Sequence, residues 1–129
     1  MATAKKTILL VDDDPFIIRM YQVKLQNDGY KVNTASNGGE ALLQIMKEKP
    51  DIVLLDVMMP KMNGVETLKA LKKDSKTKEI PVIILTNLGD NQKDVESAKK
   101  LGALDYLVKS EVDLKQLSER VKRAIETGE

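Results

Sequence analysis

Apolar residues fall along this chain in two alternating patterns. Ile8-Leu9-Leu10-Val11, Ile52-Val53-Leu54-Leu55 and Val82-Ile83-Ile84-Leu85 are unbroken runs of Ile, Leu and Val, as expected of parallel strands covered on both faces. Tyr30–Ala35 mixes polar and apolar residues and Tyr106–Val108 is short, so these two segments are expected at the sheet edges. Between the strands, apolar residues return at helical spacing. Pro15 suits the first turn of a helix that runs to about Asn27, with Gly29 as its stop. A second helix places Ala41, Leu42, Ile45 and Met46 on one face ahead of Pro50, and a third begins near Gly64 with Val65, Leu68 and Leu71. A fourth, capped by Asp90, carries Val95, Ala98 and Leu101 before Gly102, and a fifth carries Leu114, Leu117, Val121 and Ile125.

This alternation predicts an α/β protein of (βα)5 type: a doubly wound parallel five-stranded sheet with three central and two edge strands. It matches the flavodoxin-like arrangement, from which the order 2-1-3-4-5 is taken. At 129 residues the chain suits one domain, 1–129, with a core of its own. The pattern leaves no segment for an effector domain. No apolar run approaches the ~20 residues of a membrane span. Lys5 and Lys6 are followed by Ile8–Val11 and then by acids, which is a first strand and not a signal peptide.

Composition removes several kinds of chemistry. Cysteine and histidine are absent, which excludes disulfides, thiolate or imidazole metal sites, Ser-His-Asp catalysis and a phosphohistidine carrier role. A cytoplasmic setting is compatible with this. The net charge of +1, with basic residues dispersed and aromatics at only 3%, argues against direct nucleic-acid binding.

Acids stand where such a fold places its ligand crevice. Asp12, Asp13 and Asp14 follow the first apolar run and Asp56 ends the second, and the carboxyl ends of parallel strands line the crevice of open α/β sheets. Carboxylates gathered there repel one another unless a cation neutralises them. The pattern is that of a small Mg²⁺ site beside a reactive aspartate. Asp14, before Pro15, is the best candidate for a helix cap alone.

Taken in order, Val11-Asp12-Asp13-Asp14, Asp56-Val-Met-Met-Pro60-Lys-Met-Asn-Gly64, Leu85-Thr86 and Asp105-Tyr106-Leu-Val-Lys109 resemble the receiver domain of two-component response regulators, in its single-domain, CheY-like form. The resemblance covers nearly the whole chain. It implies a phosphorylation-activated signalling domain that only assists its own phosphorylation and dephosphorylation. Asp56 would be the phosphoacceptor, taking a phosphoryl group from a partner histidine kinase or a small acyl phosphate. Asp13, Asp56 and the backbone carbonyl of Met58 would hold Mg²⁺, with Asp12 acting through a coordinated water. Lys109 and Thr86 would meet phosphoryl oxygens, and Thr86 with Tyr106 would form the switch. The implied partners are a sensor histidine kinase or phosphotransfer protein, and a downstream target or second copy at helix 4, strand 5 and helix 5. Lys93, Lys99, Lys100, Arg120, Lys122 and Arg123 make that face basic. Neither a membrane nor nucleic acid is expected as a direct partner.

Two positions depart from the family pattern. Ser110 replaces the common proline after the lysine, so a trans Lys109–Ser110 bond is expected. Asn87 replaces a small residue after the threonine and brings an amide to the site. In the family, the side chains two residues beyond the phosphoacceptor and the threonine help set water access; here they are Met58 and Leu88, apolar and unable to orient a water, so the resemblance implies a long-lived phosphorylated form. A dehalogenase-like phosphatase shares the Asp12-x-Asp14 spacing but is argued against by Pro15-Phe16 and by the lack of an acidic pair ending a strand after Lys109. A flavodoxin-like cofactor protein is disfavoured by acids where a phosphate cradle belongs.

Overall fold

The computed structural model describes residues 5–57, 59, 62–87 and 92–127. Elements alternate strictly: β1 (Thr7–Val11), α1 (Pro15–Asn27), β2 (Lys31–Ala35), α2 (Gly38–Lys47), β3 (Ile52–Asp56), α3 (Gly64–Lys73), β4 (Val82–Thr86), α4 (Gln92–Lys100), β5 (Asp105–Val108) and α5 (Leu114–Thr127). All pairings are parallel and the strand order is β2-β1-β3-β4-β5. The three apolar runs are central because only central strands bury both faces; every residue of β1, β3 and β4 is buried.

Strand periodicity divides the core into two layers. Ile8, Leu10, Ile52, Leu54, Ile83, Leu85 and Leu107 pack with Tyr21 and Leu25 of α1 and Leu117, Val121 and Ala124 of α5. Leu9, Val11, Val53, Leu55, Val82 and Ile84 pack on the other side with Ala41, Ile45, Leu68, Leu71 and Ala98 from α2, α3 and α4.

Local signals set the helix ends. Asp14 is the N-cap of α1, accepting from Phe16 N at 2.9 Å, and Pro15 follows at the first turn. Gly29, at φ 99°, takes the left-handed conformation that ends that helix. Asn37 caps α2 through Glu40 N, and Asn63 caps α3 in a reciprocal box with Glu66. The expected Asp90 cap lies outside the described residues, as do Met58 and Leu88. On α2 one expectation is overturned: Met46 is 82% exposed. Ala41 and Ile45 meet the sheet, while Met46 turns away from it.

Candidate functional site

The carboxyl ends of four strands converge on one crevice. Asp12 follows β1, Asp56 ends β3, Thr86 ends β4 and Lys109 follows β5. Asp12 N donates to Ala35 O at 3.1 Å and Lys109 N to Thr86 O at 2.7 Å, so both ladders run one residue past their strands. Val11 pairs with Leu55, and one step further along that register Asp12 lies beside Asp56. Asp12, Asp56 and Lys109 continue the strand positions whose side chains face α1 and α5. Thr86 continues the opposite set, facing α2, α3 and α4.

Three of these groups meet as buried charges. Asp12 is 0% and Asp56 1% exposed. Lys109 Nζ lies 2.6 Å from Asp12 Oδ2 and 3.2 Å from Asp56 Oδ2. Asp12 Oδ1 accepts from Asp14 N at 2.9 Å. Asp12 Oδ2 has the ammonium as a charge partner but no aligned hydrogen bond. Burial pulls the lysine's pKa down most strongly, yet the contact with Asp12 and the charge of Asp56 together outweigh it. The ammonium is held above its ordinary 10.5.

That direction fixes a pH dependence. A cation whose pKa is raised by folding stabilises fully below its unfolded value, and the contribution is lost as pH climbs through the folded value. Resistance to urea should therefore hold through neutrality and fall above about pH 10.5, with a shallower fall when Lys109 is replaced by Met. Equal alkaline slopes in equilibrium unfolding would contradict the assignment.

Asp13 completes an acidic group. It is exposed, and one carboxylate oxygen from each of Asp12, Asp13 and Asp56 lies within 4.8 Å of the others. Three carboxylates face one ammonium, leaving a formal excess of negative charge. Hard oxygen donors, few in number and open to solvent on the Asp13 side, suit Mg²⁺, which keeps several waters. The residues present thus fit that ion. Asp14 is committed to capping α1, and the Met58 carbonyl lies outside the described residues.

The start of α3 is pinned against the end of the strand that carries Asp56. Gly64 N donates to Val57 O at 2.9 Å. A Cβ on Gly64 would come within 2.2 Å of Asp56 O, so only glycine permits this approach. Gly38 N donates to Met62 O at 3.1 Å and ties α2 to the approach to α3.

Thr86 is 3% exposed, and Asn87 beside it is exposed. Tyr106 pairs with Ile84 in the β4–β5 register and is 41% exposed. Lys99 Nζ sits 4.0 Å from its ring centroid, a cation–π contact that favours the outward position. The basic face is less free than its sequence suggests, since Arg120 pairs with Asp105. No cis peptide occurs among the described residues, in line with the trans bond expected before Ser110. One nearby group escaped sequence reasoning. Tyr21 of α1 is 1% exposed, its hydroxyl is unpartnered, and the charges of Lys109 and Asp12 both act on it. As an aromatic on the apolar stripe of a helix, it gave no sign of proximity to the acids.

This fold, with acids, a threonine and a lysine at successive strand ends, defines a receiver domain. Residues 8–122 match the response regulator receiver domain, and the chain belongs to that family, whose members are phosphorylation-activated signalling domains and not classical enzymes. It is similar to Protein PilH of Pseudomonas aeruginosa, with 42% identity over 79% of this chain and 84% of that protein. It also resembles the alkaline phosphatase synthesis transcriptional regulatory protein PhoP of Bacillus subtilis, at 39% identity over 96% of this chain and 50% of that protein. The chemotaxis protein CheY4 of Vibrio cholerae superposes with a TM-score of 0.84 at 34% identity, covering 93% of this chain and 98% of that one. Several curated relatives are longer; the chain spans about half the length of the transcriptional regulator ycf27 of Pyropia yezoensis (49%). No described helix is long and apolar enough to cross a membrane.

Proposed function

We propose that Asp56 is the phosphoacceptor of a single receiver domain spanning 1–129, working in the cytoplasm. The supporting observation is its carboxylate, buried at the end of β3, 3.2 Å from Lys109 Nζ and grouped with Asp12 and Asp13. A carboxylate oxygen of Asp56 attacks phosphorus. The bond from phosphorus to the imidazole nitrogen of a kinase phosphohistidine, or to the oxygen of a small acyl phosphate, breaks, and the leaving group keeps the electron pair. Asp13, Asp56 and the Met58 carbonyl would hold Mg²⁺, with Asp12 acting through a coordinated water; the ion supplies charge neutralisation. Lys109 pairs with one phosphoryl oxygen and the Thr86 hydroxyl donates to another. Positioning and charge neutralisation then carry the transfer, which needs no further general base. The domain in this way assists only its own phosphorylation and dephosphorylation.

Output is assigned to the α4, β5 and α5 surface. As Thr86 moves toward the phosphoryl group it vacates space on the α4 side of the sheet. Tyr106 leaves the Lys99 ammonium for that space, and the altered face binds a downstream protein or a second copy. The phosphoryl donor is a sensor histidine kinase or a phosphotransfer protein.

The direct test is intact mass after incubation with acetyl phosphate. Addition of one phosphoryl group in Mg²⁺, and none in chelator, is expected; no uptake in Mg²⁺ would overturn the reading. An Asp13→Asn variant should lose both Mg²⁺ affinity and phosphorylation rate by about tenfold or more, since even outer-shell ligand partners reach that scale. Unchanged uptake at limiting Mg²⁺ would remove Asp13 from the ligand set.

A further inference from the structure

Among the described residues, two buried side-chain polar atoms lack a hydrogen bond: Asp12 Oδ2 and the Tyr21 hydroxyl. They lie on the same side of the sheet. Asp12 continues the strand positions of Ile8 and Leu10, and those residues pack in the same layer as Tyr21. Burial raises the phenol's pKa most, the Lys109 charge opposes that shift and the Asp12 charge adds to it. The phenol thus feels the charges of the Lys109–Asp12 pair from within the same layer. Burying an unmatched hydroxyl is unfavourable, and a phenylalanine would fill the same apolar layer without that cost.

Asp12 Oδ2 tolerates burial only because Lys109 Nζ is 2.6 Å away. When Lys109 turns toward a phosphoryl oxygen on Asp56, that oxygen loses its neighbour. We propose that Tyr21 is a positioning residue whose hydroxyl donates to Asp12 Oδ2, directly or through one buried water, once Lys109 withdraws. The phenol holds Asp12 in place in the loaded state and steadies the oxygen the lysine has left. This rests on the phosphoacceptor reading for the event that moves the lysine, but the hydroxyl's role shows equally when the lysine is removed.

Two measurements decide it. In the parent background, Tyr21→Phe should leave the melting temperature equal or raise it, because an unmatched hydroxyl is removed. In a Lys109→Met background the same change should lower it, since the hydroxyl there already serves Asp12. Equal effects in both backgrounds, or a loss in the parent alone, would overturn the proposal. With Lys109 intact, Tyr21→Phe should also bind the phosphoryl mimic beryllium trifluoride in Mg²⁺ about tenfold more weakly, the scale of one hydrogen bond to a charged group. Affinity for Mg²⁺ alone should stay unchanged. Equal mimic affinity with an unaltered sign across the two backgrounds sinks the idea. If neither parent nor variant binds the mimic, the phosphoacceptor reading has failed, and the comparison of backgrounds decides the tyrosine alone.

Discussion

An Asp56→Asn variant should take up no phosphoryl group from acetyl phosphate in Mg²⁺, while melting at or above the temperature of the parent. Asparagine keeps the shape of aspartate, so β3 and the start of α3 need not move. Its amide offers no anionic oxygen to attack phosphorus, so the loss of uptake is complete. Stability should hold because Lys109 keeps its 2.6 Å contact with Asp12 and the pocket sheds one of its crowded negative charges. The pairing of lost chemistry with retained stability separates a nucleophile from a structural acid. Mass spectrometry and thermal melting together read both. A phosphoryl group still found on Asp12 or Asp13 would relocate the nucleophile.

The other large effect falls on stability. Lys109→Met should cost about 3–5 kcal/mol near neutral pH, the scale of removing one partner from a buried charge cluster. Asp12 and Asp56, at 0% and 1% exposure, would be left facing each other without a cation. Against a total of about 5–15 kcal/mol for a typical domain, that is a large share. Urea unfolding should show the gap narrowing in acid, as the stranded carboxylates take up protons, and narrowing again in millimolar Mg²⁺. A loss below about 1 kcal/mol would mean that the lysine is screened by solvent as a surface pair is, and the buried-cluster account would fall.

The sheet was legible because its chemistry is local. Ile8–Val11, Ile52–Leu55 and Val82–Leu85 admit only burial on both faces, and that condition alone makes β1, β3 and β4 central. Asp12, Asp13 and Asp56 were legible as candidates because acids stand at the ends of apolar runs, whereas Thr86 and Lys109 became candidates only through the resemblance to the receiver family; the structure brings Asp12, Asp56 and Lys109 into contact. The orientation of α2 was not. Leu43 and Met46 are 60% and 82% exposed, and helical spacing alone cannot say which apolar residues on a short helix meet the sheet. The caps of α2 and α3 by Asn37 and Asn63, each with a glutamate three residues on, went unread. Tyr21 was hidden for a different reason. Its nearness to Lys109 depends on α1 packing beside α5 on one face of the sheet, a relation between segments far apart in the chain.

The two layers of the core divide this domain's labour. Asp12, Asp56 and Lys109 lie on the layer of α1 and α5, and Thr86 continues the layer of α2, α3 and α4. Under the proposed reading, phosphoryl chemistry is housed on one side of the sheet and its first mechanical consequence on the other. The ends of the strands join them, through the 2.7 Å bond from Lys109 N to Thr86 O and the 3.1 Å bond from Val57 N to Leu85 O. Such a partition makes the domain modular for an engineer. On that reading, residues around Tyr106 and Lys99 can be exchanged to retarget the output while the acid cluster, on the layer of α1 and α5, keeps its rate of phosphoryl uptake.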